Sequence, residues 1–192
     1  GTVTIAAAAK GAGMISPHMA TMLAYITTDA AIAAGDLQAV TAAAASASFN
    51  RISIDGQMSP SDTLLVMANG EGDPIGGADL ERFASALAAV CRWLAIQMVK
   101  DGEGADHAVR LLVSGAHDDA EAAAVARAVG NSPLVKTAIF GRDPNWGRIS
   151  QAVGQALAGA PGEVHEPVVH LDGVGLDDPA AASVLGRGEY DL

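Results

Sequence analysis

The longest amphipathic stretch of the sequence, residues 78–100, most constrains the fold. Apolar residues recur there at spacings of three and four, which places them along one face of a helix: Leu80, Phe83, Leu87, Val90, Leu94 and Met98. The following "DGEGAD" contains glycines that end helices. A long helix with a single apolar stripe needs a second layer, either sheet or helix, to cover that stripe.

Short apolar runs containing β-branched residues predict the strands. "TVTIAAAA" and "TMLAYITTDA" predict buried strands on either side of a glycine-rich turn, and four later runs predict further strands: "TLLVMANG", "HAVRLLVSG", "LVKTAIFG" and "PVVHLDGV". Helical patterns lie over "DLQAVTAAAASASFN", "DDAEAAAVARAVGN" and "NWGRISQAVGQALAG". This mixture, without regular βαβ units, predicts an α+β fold of layered sheets and helices. The length predicts a single unit over residues 1–192.

Charge and cysteine content narrow the possible partners. A formal net charge of −11 argues against nucleic acid and anionic membrane surfaces, which require clustered cations. A small anionic substrate stays compatible, because one or two local cations suffice to bind it. Cys91 is the single cysteine and lies in a helical pattern, so neither a disulfide framework nor a cysteine metal site is expected. Without a membrane-length apolar run or a basic leader, we expect a soluble cytoplasmic protein with no membrane partner.

Several motifs that could carry chemistry have a simpler interpretation. "KGAGMIS" is not a phosphate-binding loop, because its Lys precedes the glycines. The five histidines lack helical metal-ligand spacing, so no metal is expected. The acidic residues of "DDAE" at a helix start are expected to stabilise the helix dipole. In "DPNWGR", Asp143 and Asn145 are expected to cap a helix and Arg148 to pair with an acid, an architectural role.

Thr21 lies behind a small residue in "KGAGMISPHMATML", after a flexible approach. A Thr hydroxyl is a weak nucleophile that needs a base, and cleavage before Thr21 would supply its own α-amine, of pKa roughly 7.7 to 8.0. The hydroxyl could first attack the Ala20 carbonyl and form an ester that water hydrolyses. The same residues would also serve as a turn into a strand, in which case Thr21 is structural.

Five motifs resemble one enzyme family over nearly the whole chain, in order: "KGAGMISPHMATMLAYITTDA", "SFNRISIDG", "DTLLVMANG", "VKDGEGA" and "NSPLVKTAIFGRDPNWGRI". The chain is similar to the glutamate N-acetyltransferases, or ornithine acetyltransferases, the bifunctional proteins of arginine biosynthesis. The resemblance implies an α+β sandwich of the N-terminal nucleophile type. It also implies a precursor that cleaves itself, here between Ala20 and Thr21. Residues 1–20 would then end the α-chain region, and residues 21–192 would form the β-chain region.

The resemblance implies the reaction as well. The new terminal Thr takes acetyl from N-acetylornithine as an acyl-enzyme and passes it to glutamate, and some members accept acetyl-CoA. No metal or organic cofactor is implied, and the two chains are expected to form an α2β2 assembly with the remaining α-chain portion. Residue by residue, Thr21 matches the nucleophile, Lys10 of "KGAGM" a substrate-binding lysine, and Glu103 of "DGEGA" a substrate-binding glutamate. Read without the family, Lys10 is a solvated turn residue and Glu103 a charge at a helix end.

The chain also departs from the family pattern. Family members extend upstream of the region matching Lys10, where a Thr–Gly pair forms the oxyanion hole, and downstream into a tail that contacts substrate. Both portions are expected to lie outside these residues. Ser61 stands where Asn is usual before Asp-Thr, which puts the local turn in question. Two other functions therefore stay open: an N-terminal-Thr amidohydrolase or aminopeptidase that passes its acyl group to water, and an inactive structural or binding fragment.

Overall fold

The computed structural model describes residues 2–16, 22–158, 168–175, 183–185 and 190–191. Its internal contacts divide the chain into two compact units, Gly1–Glu103 and Gly104–Leu192. Each unit combines strands with helices, which is the mixture of an α+β protein. The prediction of one unit spanning residues 1–192 stays a prediction.

The first unit contains a three-stranded sheet in the order β1-β2-β3. Its strands are β1 (Ile5–Lys10), β2 (Leu23–Thr28) and β3 (Thr63–Ala68). β1 runs antiparallel to β2, and β2 runs parallel to β3. Helix α1 (Ala34–Ser46) and a short 3-10 helix (Phe49–Arg51) lie in the connection between the parallel strands. The sequence did not predict this crossover.

Helix α2 spans Ala78–Lys100, as the apolar periodicity predicts. Its buried residues form one stripe that packs against α1 and β1: Phe83, Leu87, Cys91, Leu94, Ala95 and Met98. Leu80 and Val90 are only half-buried. By length and apolar composition alone α2 could cross a membrane, a property shared by core helices of soluble proteins. Burial of Phe83 or Leu87 contributes roughly 1.5–3 kcal/mol each to folding.

The helices of the first unit leave one face of its sheet bare. In β2, Ala24, Ile26 and Thr28 are buried, while Tyr25 between them is exposed. β1 is mostly exposed, so the prediction of a buried strand is wrong for it. The reason is positional, because β1 is an edge strand.

The second unit contains a four-stranded sheet in the order β6-β5-β4-β7, with all its pairs antiparallel. Val125, Val129, Ile149 and Val153 pack with Leu111 of the sheet in the core. The elements in chain order are β4 (His107–Ser114), α3 (Asp119–Asn131), α4 (Pro133–Phe140), α5 (Trp146–Leu157), β5 (Val168–Gly175), β6 (Ser183–Leu185) and β7 (Tyr190–Asp191).

Helix α4 corrects a sequence prediction, since "LVKTAIFG" was expected to form a strand. Ser132 is the N-cap, and its hydroxyl accepts a hydrogen bond from the Val135 N–H at 3.3 Å. Pro133 occupies the first helical turn, where its missing N–H costs nothing and its φ suits the helix. These start signals outweigh the β-branched residues that follow.

The start of α3 has the predicted structural role. Asp118 accepts a hydrogen bond from the Glu121 N–H at 2.9 Å, and Glu121 accepts one from the His117 N–H at 2.6 Å. The Glu121 N–H is the main cause that lowers the pKa of Asp118 below its ordinary value. Both carboxylates therefore serve the helix terminus.

Arg148 joins α5 to α4, and among the described residues its hydrogen bonds go to other groups than the predicted acid. Its guanidinium donates to the Leu134 carbonyl at 2.9 Å and to the Thr137 hydroxyl at 3.0 Å. Asn145 occupies the N-cap position of α5 but makes no side-chain cap bond, and its amide instead donates to Asp143 at 3.0 Å. The motif is architectural, as predicted, although its hydrogen bonds differ from those expected.

Candidate active site

The candidate site lies in the first unit, at the edge of the sheet where β1 ends and β2 and β3 begin. Lys10, the last residue of β1, lies opposite Leu23, which in turn lies opposite Thr63. Antiparallel partners have Cα atoms about 5 Å apart. Ala20 and Thr21 lie outside the described residues, whose nearest members on either side are Ser16 and Met22. Lys10 is therefore placed across from a residue only two positions after Thr21.

Glu103 lies against the glycine-rich loop that follows Lys10. Its backbone N–H donates to the Ala12 carbonyl at 2.6 Å. A Cβ added at Gly13 would lie 3.2 Å from the Glu103 carboxylate and 3.7 Å from that of Asp55. The absence of a side chain at Gly13 therefore lets these carboxylates approach the loop. Lys10 and Glu103, predicted separately, flank the same short loop, and both are exposed.

A two-point clamp holds the chain before residues 17–21. The Asp55 carboxylate accepts the Met14 N–H at 2.5 Å and the Ile15 N–H at 3.1 Å, while the Ile54 N–H donates to the Ile15 carbonyl at 2.9 Å. Burial alone would raise the pKa of Asp55, but the N–H groups of Gln57, Met14 and Ile15 together lower it. Ile15 is 1% exposed, so this anchor lies in the core.

A second clamp of the same kind holds the chain after residues 17–21. The Asp62 carboxylate accepts the Met22 N–H at 2.9 Å, and the Thr63 N–H donates to the Met22 carbonyl at 3.0 Å. Burial raises the pKa of Asp62 above its ordinary value, against the lowering effect of the Met22 N–H. Met22 is buried, and it directly follows the predicted nucleophile.

Asp55 and Asp62 were missed by sequence reasoning. Both lie within the quoted motifs "SFNRISIDG" and "DTLLVMANG", but single aspartates in polar turns resemble ordinary turn residues. Their partners lie 40 positions earlier in the chain, and this separation hides the contact from any local pattern.

The unusual Ser61 leaves its turn in place. The Ser61 N–H donates to the hydroxyl of Ser59 at 3.2 Å, and Ser59 is buried. The Ser61 residue itself is exposed. A buried Ser59 thus supplies the acceptor for this turn, which requires no side chain from position 61.

An open groove of about 380 Å³ adjoins Lys10. Lys10, Lys100 and Asp101 supply its charged groups, and the remaining lining residues are Ala9, Gly11, Leu94, Gln97 and Met98. Two ammonium groups beside one carboxylate suit a small molecule that carries more negative than positive charge.

No group of three or more His, Cys, Asp or Glu side chains that could hold a metal occurs among the described residues. The described site instead offers carboxylates, lysines and backbone N–H groups, which are groups that bind and position an organic substrate. The expectation that no metal or cofactor is used stays a prediction.

Comparison with known proteins gives one consistent result. The family model "ArgJ family" matches residues 1–178. The arginine biosynthesis bifunctional protein ArgJ of Nitratidesulfovibrio vulgaris is 49% identical over 176 residues, which cover 91% of this chain and 44% of that protein. The protein of the same name from Symbiobacterium thermophilum is 46% identical over 199 residues, covering 98% of this chain and 50% of that protein.

A solved structure gives the same result for the fold. The crystal structure of the arginine biosynthesis bifunctional protein ArgJ from Bacillus halodurans has a TM-score of 0.65 and 41% sequence identity, over 73% of this chain and 66% of that chain. The chain spans about half the length, or less, of the two curated relatives described above. The resemblance found in the motifs is confirmed.

Proposed function

Because the chain belongs to the ArgJ family, we propose that it forms part of an acetyltransferase that moves acetyl from N-acetylornithine to glutamate in arginine biosynthesis. Thr21 is first released by self-cleavage. Its Oγ attacks the Ala20 carbonyl carbon, the peptide C–N bond breaks, and the hydroxyl proton moves to the Thr21 nitrogen. Water then hydrolyses the resulting ester, which leaves a carboxylate on Ala20 and a free amine and hydroxyl on Thr21.

The observation that carries this proposal is that Lys10 and Glu103 meet at the glycine-rich loop, at the end of the sheet where β2 begins. Lys10 lies across from Leu23, and Glu103 is bonded to the loop that follows Lys10. Both substrates carry a carboxylate, which Lys10 would bind. Glu103 would bind a substrate ammonium, or the amine that becomes one. Opposite charges close to the start of β2 suit amino-acid substrates.

Acetyl transfer then proceeds in two steps. The Thr21 amine takes the hydroxyl proton while Oγ attacks the acetyl carbonyl carbon of N-acetylornithine. The amide C–N bond breaks, the proton passes to the departing nitrogen, and ornithine leaves. The neutral amine of glutamate attacks the carbonyl carbon of the O-acetyl ester, the bond from that carbon to Thr21 Oγ breaks, and a proton passes from the amine to Oγ as N-acetylglutamate is released. Acetyl-CoA would act as an alternative acetyl donor that forms the same O-acetyl ester on Thr21. The donors that stabilise the oxyanion are expected from the part of the family chain outside these residues.

The proposed enzyme is a soluble cytoplasmic α2β2 assembly with a layered sandwich fold. The bare sheet face supports the layering, because Tyr25, Leu65 and Met67 are 44%, 43% and 45% exposed on that one face. An apolar sheet face normally packs against another layer. The α-chain portion outside these residues is the proposed cover.

Intact-mass analysis of the full-length gene product tests the first step. We expect two chains separated between Ala20 and Thr21, and a Thr21→Ala product that stays uncut and transfers no acetyl group. An uncut parent protein would refute the proposed function. Acetylated glutamate, measured against free acetate, separates transfer from the hydrolase alternative.

Substrate affinity tests the two binding residues. Lys10→Ala is expected to raise the KM of glutamate by roughly 10-fold or more, the loss of one charge-assisted bond. Glu103→Gln should raise the KM for an amine-bearing substrate. Arg92→Ala, which removes a cation from the exposed surface of α2, is the matched control. Unchanged KM values in the Lys10 and Glu103 variants would count against both assignments.

A further inference from the structure

Two backbone clamps flank the proposed cleavage site in the sequence. At each, an aspartate carboxylate accepts the N–H of the held residue, and the N–H of a residue next to that aspartate donates to the carbonyl of the held residue. Asp55 and Ile54 hold Ile15 in this way, and Asp62 and Thr63 hold Met22. The backbone N–H and carbonyl of Ile15 and of Met22 are therefore all bonded.

Only the downstream clamp continues the register of the sheet. Asp62 lies 40 residues after Met22, the same offset as in the parallel pair β2–β3 from Leu23 opposite Thr63 onward. The upstream clamp lies outside that register, because its bonds from Met14 to Asp55 and from Ile54 to Ile15 span 41 and 39 residues. Met22 is therefore held in line with β2 by bonds that extend the pairing of β2 with β3.

We propose that Asp62, with Asp55, is a positioning residue for self-cleavage and for the acetyl transfer that follows. Asp62 acts through the Met22 N–H, one residue from Thr21, and so restricts where the Thr21 hydroxyl can lie. This inference rests on the proposed function. The attack of Thr21 Oγ on the adjacent Ala20 carbonyl requires a close, aligned approach, and small displacements of the reacting atoms slow such reactions strongly.

Asp62 also differs from a general base, because its carboxylate is already engaged by the Met22 N–H at 2.9 Å. Burial, which raises its pKa, leaves its acceptor role intact in either protonation state. An amide oxygen can replace a carboxylate oxygen in that role. Positioning by Asp62 therefore predicts rescue by Asn, which proton transfer by Asp62 does not.

The test uses full-length precursor made in a short pulse of cell-free synthesis. Intact-mass analysis at successive times then gives the fraction of precursor that has cleaved. Asp62→Ala is expected to slow the first-order rate roughly 10- to 100-fold, the effect of a misplacement near 1 Å. Asp62→Asn should cleave at close to the parent rate. Asp62→Glu keeps the charge but displaces the carboxylate, so its precursor should also cleave slowly. This variant replaces Asp62→Ala in the test if the Ala variant does not fold.

A matched control lies at the opposite end of β2, where β2 pairs with β1. The Asp29 carboxylate accepts the Thr4 N–H at 2.7 Å, beyond Ile5 and Thr28. Asp29→Ala removes a bond of the same kind far from Lys10, so cleavage should keep its parent rate. A general loss of stability would instead slow both variants or neither.

Kinetics of the processed enzyme give a second readout. Asp62→Asn chains that have cleaved should transfer acetyl normally, while Asp62→Ala chains should lose kcat with the KM of glutamate unchanged. Parent-like cleavage in both the Ala and Glu variants would overturn the inference and leave the proposed function standing. A parent precursor that never cleaves would overturn both.

Discussion

Gly102, next to Glu103, lies close to Ile54 of the upstream clamp. A Cβ added there would lie 3.1 Å from Ile54 Cδ1, 3.3 Å from Ile54 Cγ2 and 3.1 Å from the Val99 carbonyl oxygen. Carbon atoms pack best at roughly 3.5–4.0 Å, so each neighbour would have to give by a few tenths of an ångström. We therefore predict that Gly102→Ala destabilises the protein.

The size of this effect follows from how little the neighbours can move. The Val99 oxygen accepts the Gly102 N–H at 3.2 Å, and the Ile54 N–H is engaged at Ile15. Overpacking against such fixed groups costs about 1–3 kcal/mol. Relief by movement of the loop would displace Glu103 from Ala12, which should also raise the KM of the amine-bearing substrate.

Urea unfolding of the full-length protein measures the first effect, and initial-rate kinetics the second. Gly154→Ala is the control, because a Cβ at this exposed position of α5 meets no atom within 4 Å. In a helix interior this change should stabilise by about 0.5–1 kcal/mol. A Gly102→Ala protein as stable as the parent, with unchanged KM values, would refute the close packing inferred at this position.

Four further predictions concern two aspartates, the reactivity of one thiol and the bare sheet face. Folding lowers the Asp55 pKa, so its stabilisation exists above the unfolded pKa of about 3.9 and is lost as pH falls through the lower folded value. Asp55→Asn should thus lower Tm at pH 7, and the difference in Tm should shrink as the pH falls below the unfolded value. The pKa of Asp62 is raised by folding, so its effect on stability has the opposite pH dependence. It favours folding at pH values below the pKa of the unfolded state, and this contribution is lost as the pH rises through the folded-state pKa. Asp62→Asn should therefore not lower Tm at pH 7. Burial raises the Cys91 pKa to about 11, so peptide-mapped alkylation at pH 8 should require unfolding. If another layer covers the sheet face, Leu65→Thr should destabilise the full-length protein by roughly 1–2 kcal/mol, whereas Val3→Thr should have little effect.

Sequence periodicity predicted the elements whose formation depends on local pattern. Helix α2 has the predicted bounds, because its apolar stripe, its length and the glycines after it all agree. Helix α4 was mistaken for a strand, since its β-branched residues were weighed above the Ser132–Pro133 start. Propensity is a weak guide when a cap and a first-turn proline compete with it.

The residues of the candidate site could likewise be predicted only in part. Lys10 and Glu103 could be named from motifs, and the structure brings both to the glycine loop. Asp55 and Asp62 could not be named, because a hydrogen bond across 40 residues leaves no periodic trace in one sequence. Family motifs contained both residues without revealing their partners.

The parallel register explains why Asp62 lies where it does. Parallel strands require a crossover, and here α1 and the 3-10 helix return the chain to the start of β3 with an offset of 40. That offset already holds at Asp62, before the ladder begins. There a side-chain oxygen accepts the Met22 N–H, which a neighbouring strand would otherwise bond. A segment that must react with itself needs a fixed end, and the bonds to the N–H and carbonyl of Met22 fix the backbone directly after the proposed nucleophile.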